Sequence, residues 1–181
     1  MIQNIRYFIN SIKNLIRWFP IIWNDRDWDD WYIYTILETK LKHQAKYIGD
    51  KDRHTRAKRD SELMRTCTRL IKKVKEEEYD GEWMDYHTSK YNWLDVPERP
   101  DHKRLDIGLV AERFDEYFLK YPSDYRRVVS NQSNQVFRFG NDLNDPENKQ
   151  RIAMNMSMVR QERARKLLFK LLEHNIEKWW D

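Results

Sequence analysis

The stretch PENKQRIAMNMSMVRQERARKLLFKLLEHNIEKWW, Pro146 to Trp180, decides the fold. Ala164, Leu167, Leu168, Leu171, Leu172, Ile176 and Trp179 recur within it three and four residues apart, which places them on one side of an α-helix. A helix is therefore predicted over residues 147–180, beginning at Pro146 or Glu147. Carrying the same periodicity outward gives helices at 2–19, 25–48, 53–79 and 105–121. The last of these rests on Ile107, Val110, Phe114, Phe118 and Tyr121, with Pro122 as its stop. The second is closed by Gly49, and the short break before the third predicts an antiparallel helical hairpin.

Two stretches lose the helical period. Residues 80–104 contain EWMDYHTSKYNWLDVPERPDHK, in which Pro97 and Pro100 break any helix, and read as an aromatic-rich connection. Residues 122–146, rich in Asn, Gln, Ser and Asp, read as a long polar connection with one short extended piece at Val136 to Phe139. Only 4 Gly and 5 Pro serve 181 residues, too few turn-formers for a many-stranded sheet. The expectation is a mainly α, single-domain helical bundle of about five helices. Its 8 Trp, 10 Tyr and 7 Phe make much of the core aromatic.

The composition narrows the setting. A single cysteine, Cys67, allows no internal disulfide and lies on the apolar stripe Met64, Cys67, Ile71, Val74, so a reducing compartment and a core thiol are expected. No run approaches the roughly 20 apolar residues that span a bilayer. The N-terminal segment is interrupted by Arg6, Asn10, Lys13 and Arg17, unlike a signal-peptide core. Its helix carries a stripe from Ile5 to Phe19 that is expected to face the domain interior. Because the first 24 residues contain no acid, the same helix also fits a membrane surface.

No catalytic or metal-binding motif is complete in the sequence. Asp25, Asp27 and Asp29 alternate as in a calcium loop, but Asp30 and Ile36 occupy the positions that need glycine and glutamate. The acids, with Asn24 or Asp25 as cap, instead suit the start of a helix whose Trp28, Trp31, Tyr32 and Thr35 form an aromatic core face. His43, His54, His87, His102 and His174 stand singly, without paired ligand spacing. No cofactor motif and no catalytic residue is assigned.

Charge location is more informative than the net +4. Between Lys51 and Lys75 lie ten Lys or Arg and three acids. Lys58, Arg65, Arg69 and Lys72 fall on nearly the opposite side from the apolar stripe, and Arg is prominent in the run, at Arg53, Arg56, Arg59, Arg65 and Arg69, where a guanidinium fork suits phosphate. Arg163 and Lys166 lie away from the leucine face of the last helix. Trp83, Tyr86, Tyr91 and Trp93 are suited to stack on a base. Together these residues form the candidate ligand site for an anionic, nucleotide-like molecule.

The segment WNDRDWD at Trp23 to Asp29, the helical hairpin after it, and LLEHNIEKWWD at Leu171 to Asp181 resemble a group of uncharacterised tailed-bacteriophage proteins. The resemblance implies a viral origin and action in the bacterial host cytoplasm, and carries over no catalytic residue. With the basic and aromatic residues, it gives the expected function. The chain is read as a non-enzymatic accessory phage factor acting against a host process, such as antiviral defence, by sequestering a nucleotide-like signal molecule or occupying a host protein. A nucleic-acid-binding or virion-associated protein is the alternative. A metal-dependent phosphodiesterase using Asp25, Asp27, Asp29 or Asp30 is the third reading. Trp179 and Trp180 at the end of the last helix are expected to need a partner subunit for cover, which predicts a homo-oligomer.

Overall fold

The computed structural model describes residues 2–26, 28–52 and 54–180. The chain is mainly α and, among the described residues, holds one two-stranded sheet. In order, the elements are α1 (Ile2–Trp23), α2 (Asp30–Gly49), α3 (Ala57–Lys75), α4 (Glu78–Gly81), β1 (His87–Asp95), β2 (Lys103–Glu112), α5 (Phe114–Lys120), α6 (Pro122–Ser130) and α7 (Pro146–Asn175). Short 3-10 turns lie at Glu82–Tyr86, Gln132–Asn134 and Lys178–Trp180. Two compact units result: one comprises Met1–Lys75 with Leu168–Asp181, the other Glu76–Leu167.

In the first unit α2 and α3 run antiparallel. Ser61 Oγ donates to Ala45 O at 2.8 Å near one end, and Lys75 Nζ to Glu38 Oε2 at 2.8 Å near the other. Leu41, Ala45 and Ile48 face Met64, Cys67 and Ile71, and Leu168, Leu172 and Trp179 complete the core. Each large apolar side chain buried there contributes about 1.5–3 kcal/mol. Burial pushes the Cys67 thiol pKa up, as suits an inert core sulfur.

The second unit gathers Phe114, Tyr117, Phe118 and Val128 against Ile152, Ala153 and Met156 of α7. Asp145 Oδ1 accepts from Asn148 N at 3.1 Å, and Pro146 opens α7 where its missing N–H costs nothing.

Several sequence expectations need correction. Residues 105–121 are not one helix: Leu105 and Ile107 belong to β2, and α5 begins only at Phe114. The alternation of Leu105 and Ile107 with Arg104, Asp106 and Gly108 is the two-residue period of a strand, and it overrides the helical match. Residues 80–104 are likewise not irregular, since all of β1, the turn after it and the start of β2 lie there. Pro122 opens α6 rather than leading into a loop. No strand forms at Val136 to Phe139.

Further differences lie at helix ends. α1 passes Pro20 and continues to Trp23, where Asn24 Nδ2 donates to Pro20 O at 2.8 Å and closes the last turn. α2 starts late, because Asp29, not Asn24 or Asp25, is its cap: Oδ1 accepts from Trp31 N at 2.9 Å. Trp28 therefore precedes the helix and is 82% exposed, so the aromatic core face does not form as expected. Gly49 is not a left-handed cap; α2 ends on it and Asp50 follows with φ −70°. α3 stops at Lys75, since the acids Glu76, Glu77 and Glu78 oppose the negative end of its dipole, and Glu77 turns left-handed at φ 50°. α7 ends at Asn175, so Ile176 lies beyond it and is exposed; Leu167, within the helix, is exposed too. Trp179 is 1% exposed within the chain's own core, so it asks for no partner's cover. Trp180's side chain, Asp27, Arg53 and Asp181 lie outside the described residues. Finally, the α1 stripe does not face the interior: Ile5, Phe8, Ile12, Leu15, Ile16 and Phe19 are all exposed.

Candidate functional site

In the second unit, β1 and β2 pair antiparallel with Tyr91 opposite Ile107 and Trp93 opposite Leu105. Successive side chains of a strand alternate between faces, so these two cross-strand pairs share one face. Asn92 and Asp106, also paired, lie on the other. The apolar face is uncovered: Tyr91 is 63%, Trp93 64%, Ile107 58% and Leu105 40% exposed. At the tip, Lys103 Nζ meets Asp95 Oδ1 at 3.5 Å, and the turn continues through Arg99 N to Val96 O at 2.9 Å.

The hairpin is rooted in aromatic packing. Trp83 stacks on His87 at 5.2 Å between centroids, His87 on Phe114 at 6.3 Å, Phe114 on Phe118 at 6.5 Å, and Phe118 on Tyr125 at 4.7 Å. A register shift between Thr88 and Ser89 marks a bulge just above this ladder, and Arg113 N donates to Tyr86 O at 2.8 Å. Thus Trp83 and Tyr86, expected to stack on a base, are partly buried against the second core, Tyr86 lying 4.9 Å from the Tyr117 ring.

Beside the root lies a charged network. Glu82 accepts from Lys120 Nζ at 2.8 Å, from Tyr121 Oη at 2.7 Å and from Arg160 Nη1. Burial acts to raise the Glu82 pKa, but these three donors outweigh it and hold the carboxyl below its usual range. Arg160 stacks 3.5 Å over the Tyr121 ring and donates to Tyr117 Oη at 3.3 Å. Perturbed ionisation marks many active sites, but here each Glu82 oxygen already carries donors, and the arrangement reads as structural.

The cationic candidates fall into two groups. On α3 of the first unit, Arg59, Arg65, Arg69 and Lys72 are exposed opposite the core stripe, and Arg56 lies exposed in the turn before it. Arg65 and Arg69 are bridged by one carboxylate, Glu62, at 3.6 and 2.9 Å. In the second unit, Arg163 Nη1 donates to Asp124 Oδ1, and Lys166 pairs with Glu162 at 2.7 Å. The aromatic candidates belong to this second unit. A surface hollow there, lined by Ser123, Tyr125, Arg126 and Arg127 among others, is open and built on one helix.

Of the aspartates, Asp29 is occupied as the α2 cap and Asp30 sits in the first turn. Among the described residues no group of three or more His, Cys, Asp or Glu side chains converges as a metal site. Sequence reasoning missed Leu105 and Ile107 as partners of Tyr91 and Trp93; their alternation along β2 was the available clue. In comparisons with known proteins, no family model matches the chain, and no curated protein or solved structure matches it.

Proposed function

We propose that the chain is a non-enzymatic binding protein of viral origin that occupies a protein of the bacterial host, with the β1–β2 hairpin as its contact surface. The observation that carries this reading is the four-residue apolar face of Tyr91, Trp93, Leu105 and Ile107, left uncovered by the chain itself. Contiguous exposed apolar surface marks interaction sites, and buried Tyr and Trp dominate interface energetics. Both outer edges of a two-stranded sheet also offer unpaired backbone groups to a partner strand.

Sequestration of a nucleotide-like molecule has less support. Trp83 and Tyr86 are engaged in packing, and Arg65, Arg69, Arg163 and Lys166 already carry carboxylates. The exposed cationic face of α3 favours nucleic acid as a second reading, tested by anisotropy titration with DNA and RNA at two salt concentrations.

Affinity capture from a bacterial lysate tests the first reading, with wild type and Tyr91→Ser/Trp93→Ser compared by quantitative mass spectrometry. One host protein should be retained by wild type and lost with the variant. Equal recovery by both defeats the hairpin assignment.

A further inference from the structure

α1 is a 22-residue helix whose apolar side nothing in the chain covers. At 100° per residue, Ile5, Phe8, Ile12, Leu15, Ile16 and Phe19 share one arc of about 100°. The side chains of α1 that lose exposure are Trp18 and Ile21, which lie away from that arc. They mark the side by which α1 meets α2. Arg17 stands near His43 of α2, where burial first and this cation second depress the imidazole pKa. Contact with α2 is thus confined to the C-terminal end of α1; residues 3–17 are exposed on every side, the apolar arc included.

Charge identifies what the front meets. The chain has no acid before Asp25, and Arg6, Lys13 and Arg17 fall together within about 40° on the polar side of the helix, beginning about 60° beyond the edge of the apolar arc. A second copy seated on this face would bring those cations to a helix without a single carboxylate. An anionic phospholipid surface complements both parts: apolar side chains enter the acyl boundary while Lys and Arg reach the phosphates. No described helix is long and apolar enough to cross a membrane, so such a helix lies in the surface rather than through it.

We propose that α1 is an interfacial helix that lays the chain on an anionic phospholipid membrane. Flotation of the full chain with vesicles tests it, using phosphatidylcholine alone and phosphatidylcholine mixed with phosphatidylglycerol. Wild type should float with the anionic vesicles and be released by salt. Ile12→Asp/Ile16→Asp should remain unbound. Arg6→Gln/Lys13→Gln/Arg17→Gln, which leaves the apolar arc whole, should lower partitioning on the order of a hundredfold. All five positions are exposed, and circular dichroism checks that helix content is kept. Failure of wild type to float at low salt overturns the proposal, as does equal flotation of the double aspartate variant. Vesicle-independent dimers dissolved by that variant in light scattering would assign the face to a second copy instead.

Discussion

Asn155 shows how one residue can organise a segment. Its Oδ1 accepts from Phe137 N at 3.1 Å and its Nδ2 donates to Phe137 O at 2.7 Å, so a buried amide imitates a strand partner. Asn155→Ala leaves both backbone groups unpaired and should cost about 2 kcal/mol in urea unfolding. Gly49 is constrained by approach rather than by its φ angle: an added Cβ would sit 2.6 Å from Ser61 Oγ, itself bonded to Ala45 O. Gly49→Ala should therefore destabilise by about 1–3 kcal/mol despite better helix propensity. Ser61→Ala in the same chain should recover part of the loss. Glu38, buried, holds Lys75, and Lys75 also lies 4.6 Å over the Trp31 ring. Burial raises the Glu38 pKa, but hydrogen bonds from Lys42 and Lys75 outweigh it and the net shift is downward. A depressed folded-state pKa stabilises above the ordinary glutamate value and loses that stability as pH falls through the depressed one. Thermal melts should show a steeper decline below about pH 4.5 for wild type than for Glu38→Gln. At neutral pH the variant should be less stable by roughly 1–3 kcal/mol, because the partly buried Lys75 loses its carboxylate and keeps the Trp31 ring and a neutral amide oxygen as partners.

At the scale of elements, α2, α3 and α7 were legible because their apolar residues keep the 3.6-residue period over several turns. The hairpin was not, because Ile107, Val110, Phe114 and Phe118 satisfy a helical template across a boundary that really separates β2 from α5. Pro122 misled for a related reason, since a proline that follows one helix also suits the first turn of the next. The α1 stripe was legible as a helix, but periodicity reports a face and not what covers it. Of the candidate site, Tyr91 and Trp93 stand exposed as a binding role requires, while Trp83 and Tyr86 proved to be packing. Arg65 and Arg69 test the cationic face directly. Arg65→Ala/Arg69→Ala should change stability by no more than about 0.5 kcal/mol, and it should weaken binding to DNA or RNA only if α3 holds phosphates.

For the whole molecule, two cores are each satisfied within the chain while two apolar surfaces, the hairpin face and the α1 front, are not. That contrast is the basis for reading the protein as one that works by docking. Hydrogen exchange, measured on the chain alone and with the host protein retained by capture, tests the claim most directly. Slowed exchange in residues 87–112, with α3 unchanged, is the predicted result. Protection confined to α3, with the hairpin exchanging as in the free chain, would contradict it.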